Sequence, residues 1–328
     1  MAKSWKDLLL ASGLPFEHEV RRCLERYGCV ARFDYSYFRP NEHRLQKEFS
    51  YDIDASLIES PHFVDLMVEC KYRNPAVKWV FAPDNYGGMD EAYENAFLHP
   101  FDHFVSRTFP FTTMFPRQIG PPCSKGIEMR PDGPHEGGII EACSQLAFAF
   151  GSKIADAIEH QVLGLLGREE FIFYHVPVIV TTAPMFRLRD DVSVAAIAKA
   201  SQIEEISTQE SIVVLKYQAS LELRDHTRDV LAGVSIEREV LTKTLSSYTK
   251  DLDFLLSNLA SGSPQAIVVL TVADGWDVFE RFFAYVREIV NPSEALIAEI
   301  KEGDAKRKAR FDALLANRKS KPDSAVDI

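Results

Sequence analysis

The stretch from Ser50 to Tyr72 constrains the fold of this chain more than any other. It reads Ser-Tyr-Asp-Ile-Asp-Ala-Ser-Leu from Ser50, a Glu-Ser-Pro-His turn at Glu59 to His62, and Val-Asp-Leu-Met-Val-Glu-Cys-Lys-Tyr from Val64. Side chains alternate between the two faces of a strand. Two neighbouring strands are therefore predicted, with Asp52 and Asp54 on one face and Tyr51, Ile53, Ala55 and Leu57 on the other. Glu69 and Lys71 likewise share a face opposite Leu66, Val68 and Cys70. The apolar faces can pack on a core while the acidic faces meet above the sheet. Two carboxylates converging there form an oxygen-donor site suited to Mg²⁺ or Mn²⁺. A lysine beside them can orient a water or offset charge on a phosphate.

The rest of the chain supplies the elements to cover such a sheet. Val20, Leu24 and Tyr27 follow helical spacing, with Pro15 suited to the first helical position and Gly28 to the end. Residues 29–37, 45–58, 63–73 and 76–82 read as extended. Residues 83–134 are rich in Pro, Gly and aromatics and read as a long insertion with a short helix near 90–98. A helix is predicted over 139–166. A buried strand begins the run 171–188, and further strands cover 211–220 and 266–273. Helices fill 225–259 and 276–290, and a helix from Ser293 grades into a charged, disordered tail. The expected class is α/β, with a mixed central sheet flanked by helices. The expected parts are a core over 1–190, an α/β extension over 191–295 and the tail over 296–328.

Composition narrows the function. The longest apolar runs are about half the roughly twenty residues that a membrane span needs, so no membrane partner is expected. The apolar run near the N-terminus is too short for a secretory signal. Five cysteines without a CxxC pair argue against a disulfide framework or a structural zinc module, and a cytoplasmic protein with reduced thiols is expected. The net charge of −11 disfavours nucleic acid unless positive charge is gathered on one face. The tail from Lys301 onward holds eight bases against five acids, the only dense basic run along the sequence.

Standard nucleotide-binding, serine-hydrolase and HExxH motifs are absent. The residues that remain resemble the PD-(D/E)XK nuclease superfamily, which has the restriction-endonuclease-like fold. The resemblance rests on the leading helix with Phe16-Glu17, the hairpin bearing Ile53-Asp54 and the strand ending Glu69-Cys70-Lys71. The order continues with the helix bearing Ser144-Gln145-Leu146 and the strand from His175 to Thr182. Ile53 stands where the family name has Pro, and residues after about 190 match nothing in the pattern. The resemblance implies metal-dependent phosphodiester hydrolysis, most readily of DNA, in defence or repair. Asp54, Glu69 and Lys71 would be catalytic, and Mg²⁺ (or Mn²⁺) would be held by Asp54, Glu69 and the backbone carbonyl of Cys70. Glu17, Asp52 and Gln145 would support the site from outside the ligand set. An alternative is a nuclease-like fold kept as an inactive binding or assembly subunit, with a protein partner or a second copy of the chain.

Other candidates are weighed on their residues alone. His99 and His103 have i,i+4 spacing, which Pro100 spoils. Cys123, His135 and Cys143 lack a close ligand pair for zinc. Cys70 reads as a small core residue, and Asp65 as either site support or strand-edge polarity. Tyr72 and Arg73 could touch phosphate, while Trp79, Phe81, Tyr86 and Tyr93 read as a local core more readily than as a base-stacking surface.

Overall fold

A computed structural model describes residues 4–40, 46–84, 97–106, 118–135, 137–247, 249 and 251–319. The chain opens with helices α1 (Trp5–Ala11) and α2 (Leu14–Arg26). Strands β1 (Val30–Pro40), β2 (Gln46–Glu59), β3 (His62–Lys71) and β4 (Lys78–Pro83) follow, then β5 (Pro100–Phe101), β6 (Pro122–Arg130) and β7 (Gly133–His135). The long helix α3 (Gly137–Leu166) leads into β8 (Ile172–Thr181) and β9 (Met185–Leu188). Beyond α4 (Val194–Lys199) come β10 (Ser207–Glu210), β11 (Ile212–Lys216), α5 (Leu221–Ala232), α6 (Arg238–Thr244) and α7 (Leu252–Gly262). Strand β12 (Ala266–Thr271), α8 (Val278–Val290) and α9 (Glu294–Lys319) complete it.

The result is an α/β fold with one large mixed sheet flanked by helices. Its strands run in the order β1-β2-β3-β8-β12-β11-β6-β4-β9-β10. Strand β8, nearly continuous in apolar residues and buried at every position, pairs in parallel with β3 on one side and β12 on the other. On one face, α2 and α8 cover Ile53, Ala55, Leu57, Leu66, Val68 and Cys70. Phe279, Phe282 and Phe283 of α8 are fully buried there, and each contributes roughly 2–3 kcal/mol as apolar area removed from water. On the other face α3, α5, α6 and α7 pack over Met67, Phe173, Ile179, Val213 and Val269.

Two expectations change. Residues 122–130 were expected within an irregular insertion, yet β6 lies inside the sheet between β11 and β4. Its inward positions include Gly126 and Glu128, so the apolar alternation that marks a strand is missing from the sequence. Pro122 sits at the strand's first position, where a missing donor is tolerated. The residues expected to form an extension after 190 also contribute to this sheet, as β11 and β12 lie between β8 and β6. The helix expected near 90–98 falls almost wholly outside the described residues, as do Tyr86 and Tyr93.

Candidate active site

The site grows out of a fork between two strands. Strand β2 pairs with β3 from Glu59↔His62 up to Ile53↔Val68 and then departs, still paired with β1, while β3 runs on against β8 to Lys71. Asp52 and Glu69 stand at the opening. Asp52 Oδ2 accepts a 2.6 Å hydrogen bond from the Cys70 N–H, supplying the acceptor that the departing strand no longer offers.

Strand alternation does not survive this point. Ile53, Ala55 and Leu57 face the α2/α8 core, whereas Tyr51 belongs to the α3 core and its hydroxyl donates to Asp54 Oδ1 at 2.6 Å. Residues three apart on a regular strand point to opposite faces. The switch falls opposite Asp34, whose φ of 54° lies in the left-handed region that Asp tolerates better than most side chains. The β1–β2 register correspondingly passes from Phe33↔Ile53 to Tyr35↔Tyr51. Asp52 and Asp54 therefore do not share a surroundings, contrary to the expectation from spacing.

Their partners separate them. Asp54, 7% exposed, has both carboxylate oxygens engaged. Tyr51 Oη and Lys153 Nζ each lie 2.6 Å from Oδ1, and Arg32 donates to Oδ2 through Nε at 3.0 Å and Nη2 at 2.8 Å. Lys153 is itself buried and lies 4.4 Å from the centre of the Tyr35 ring. Asp52 instead shares an electrostatic neighbourhood with Glu69, Lys71, Asp34 and Glu17. Burial raises its carboxyl pKa, and the Cys70 N–H and Lys71 act against that rise.

Glu69 is the most confined acid of this group, at 1% exposure. Lys71 Nζ donates to its Oε1 at 2.7 Å, and Oε2 is buried with no hydrogen-bond partner among the described residues. Burial, and after it the charge of Asp52, push its carboxyl up to about 8 against the pull of Lys71. Glu17, on the first turn of α2, is raised by partial burial and then by Asp52 and Asp34. Gln145 Nε2 donates to the Ser50 carbonyl at 3.3 Å and so ties the departing part of β2 to α3; its Oε1 is buried without a partner. The Cys70 side chain lies in the α2/α8 core, and burial pushes its thiol far above the ordinary range.

The structure thus brings Asp52, Glu69, Lys71 and Glu17 together and places Asp54 in a separate buried network. Sequence reasoning missed Lys153, although a signal existed: it is the one lysine of a thirty-residue helix. Two carboxylates, one with an unpartnered buried oxygen, beside a lysine are a donor set that fits a hard, oxygen-seeking cation. Among the described residues no three His, Cys, Asp or Glu side chains form a group that could hold a metal ion, so the donor set is these two carboxylates.

The remaining candidates have structural partners. Arg73 donates from Nε to Glu128 Oε1 at 2.7 Å, and Arg130 from Nε to Oε2 at 2.9 Å. Together they hold the fully buried Glu128 carboxyl below its ordinary range in spite of burial. Asp65 accepts from Ser56 Oγ at 2.7 Å and lies 3.5 Å from His175 Nδ1. Trp79 and Phe81 are fully buried core residues.

His99 and His103 are separately engaged and share no ligand role. The Gln265 N–H donates to His99 Nε2 at 2.8 Å, which fixes a neutral ring whose Nδ1 faces the carbonyls of Phe97 and His175. Burial pushes both histidines down to about 4. An unfolded histidine takes up its proton near 6.5. The unfolded chain therefore binds protons that the fold resists, and stability from these groups falls as pH drops from about 6.5 to about 4. Denaturant titrations at neutral and acidic pH should show a smaller loss for His99→Asn than for the parent chain, the difference cancelling the other titrating groups. Equal losses would mean that His99 is not held neutral.

Protein-family models, curated proteins and solved structures, compared with this chain, give no match.

Proposed function

We propose that this chain is a metal-dependent phosphodiester hydrolase acting on nucleic acid, most readily DNA, with a site of the PD-(D/E)XK nuclease kind built on a restriction-endonuclease-like core. The reading rests above all on Glu69, a buried carboxylate that has one oxygen on Lys71, the other without a partner, and Asp52 close by. Asp52 here takes the part that the resemblance gives to Asp54, since Asp54 is saturated by Lys153, Arg32 and Tyr51.

Asp52 and Glu69 would hold Mg²⁺ or Mn²⁺. A divalent cation there supplies Lewis-acid stabilisation of phosphate charge and acidifies water. The chain's own residues do the positioning. The Cys70 N–H fixes the Asp52 carboxylate, and Lys71 fixes one oxygen of Glu69 while presenting a cation toward any phosphate that enters the fork. Glu17 adds negative charge from α2, and Gln145 keeps the fork open by anchoring Ser50.

One observation favours a second reading, a binding or assembly subunit without activity: the position that the resemblance makes catalytic, Asp54, is locked in a buried ion pair. Calorimetric titration with Mn²⁺ separates the two. The parent chain should bind, Asp52→Asn should weaken binding by more than about tenfold, and Asp54→Asn should leave the affinity near that of the parent. No Mn²⁺ binding by the parent, together with no cleavage of plasmid, linear, single-stranded DNA or RNA in Mg²⁺ or Mn²⁺, would leave the subunit reading standing.

A further inference from the structure

A groove of about 660 Å³ runs beside the N-terminal half of α3, between the β1–β2 hairpin and the strands β6 and β11. Four bases line it, Arg39, Lys47, Lys125 and Lys216, and its lining contains one acid, Glu222. Lys216 is shared with Asp84 at 3.3 Å, and Lys47 and Lys125 are exposed. In a chain of net charge −11 this is a marked local reversal of sign. The cations are also arranged. The Arg39 guanidinium is clamped between the rings of Phe49 at 4.0 Å and Phe148 at 4.3 Å, so its plane is fixed before any ligand arrives. Tyr217 adds a half-buried aromatic ring to the same lining.

The groove adjoins the carboxylate fork. Phe49 packs on Tyr37 at 6.1 Å, and the Tyr37 hydroxyl donates to the carbonyl of Gln145, the residue that anchors Ser50. Ser144, next to Gln145, lies in the groove.

We infer that this groove binds a single-stranded nucleic acid, with Arg39, Lys47 and Lys125 on its phosphates and Tyr217 under a base. The inference rests on the hydrolase reading for its substrate but not for its own test. Phosphate spacing calls for several separated cations along a track, and fixed aromatic rings suit bases that are unstacked and available. A duplex keeps its bases stacked inside and offers Tyr217 nothing. The groove's cations come from four strands of one sheet and not from the basic run of the C-terminal tail.

The test is fluorescence anisotropy of a short labelled single strand, its duplex and a labelled mononucleotide, at several salt concentrations in EDTA. Cleavage is then silent, and binding is read alone. The single strand should bind tightest. The Lys47→Ala/Lys125→Ala double variant should weaken it and flatten the slope of log affinity against log salt by about 1.4, two phosphate contacts' worth. Tyr217→Ala should weaken the single strand by about tenfold with the slope unchanged. Lys301→Ala/Lys308→Ala, on α9, should change neither. Duplex or mononucleotide binding as tight as the single strand, or an unaltered slope in the Lys47/Lys125 variant, overturns the inference. If the groove variants bind like the parent while the parent cleaves in Mg²⁺, only the groove proposal falls. If they bind weakly while no metal supports cleavage, only the hydrolase reading falls.

Discussion

Asp54→Ala is expected to destabilise the chain by roughly 3–5 kcal/mol, because it strands Lys153 as a buried charge without its partner. At roughly 1.5 °C per kcal/mol for a chain of this length, the melting temperature should fall by about 5–7 °C. The other partners do not soften the loss equally. Arg32 has a side chain 68% exposed and can return to water, whereas the Tyr51 hydroxyl and Lys153 are enclosed. Replacing the pair together, as Asp54→Leu with Lys153→Met, should recover most of the loss, since an apolar pair of similar volume removes both desolvation penalties. Asp52→Asn should leave the melting temperature near that of the parent, because its amide oxygen can still accept from the Cys70 N–H. Thermal unfolding of the four proteins checks the assignment. An Asp54→Ala protein that melts like the parent yet has lost cleavage would return Asp54 to the metal site and remove Asp52 from it.

That contrast marks how far the sequence could be read. The hairpin, the turn at 59–62 and the Glu69-Cys70-Lys71 strand end are local features, and alternation over a few residues suffices to see them. The separation of Asp52 from Asp54 is not local. It depends on one residue of the neighbouring strand, Asp34, adopting a positive φ, and nothing in the alternation around Asp52 reports it. Strand β6 was hidden for a different reason. Its inward side chain at 128 is a glutamate neutralised by Arg73 and Arg130, so burial there is electrostatic and not apolar. The basic groove was hidden by arithmetic. Arg39, Lys47, Lys125 and Lys216 are single charges on four strands, invisible to any search for a basic run, and they meet only because β6 and β11 are neighbours in the sheet.

Glu69→Gln is expected to slow metal-dependent cleavage by about 10²–10³-fold, roughly 3–4 kcal/mol on the barrier, the size of one preorganised charged group. The fold should not suffer. The substitution keeps the shape, leaves Lys71 an amide oxygen to donate to, and removes a charge that burial and Asp52 already disfavour. The melting temperature should therefore hold or rise, which separates a loss of chemistry from a loss of structure. Lys71→Ala should reduce the rate comparably, but the two variants should part on metal. Glu69→Gln removes an oxygen donor and should weaken Mn²⁺ binding, whereas Lys71→Ala removes a competing cation and should leave binding equal or tighter. The structure makes the second outcome sharp, because Lys71 occupies one of the two oxygens of Glu69 that a cation would use. Rate constants and Mn²⁺ affinities for both variants decide the roles. If Lys71→Ala weakens Mn²⁺ as much as Glu69→Gln does, the lysine serves only to hold the carboxylate in place. If Glu69→Gln cleaves at the parent rate, the fork is not the site of hydrolysis.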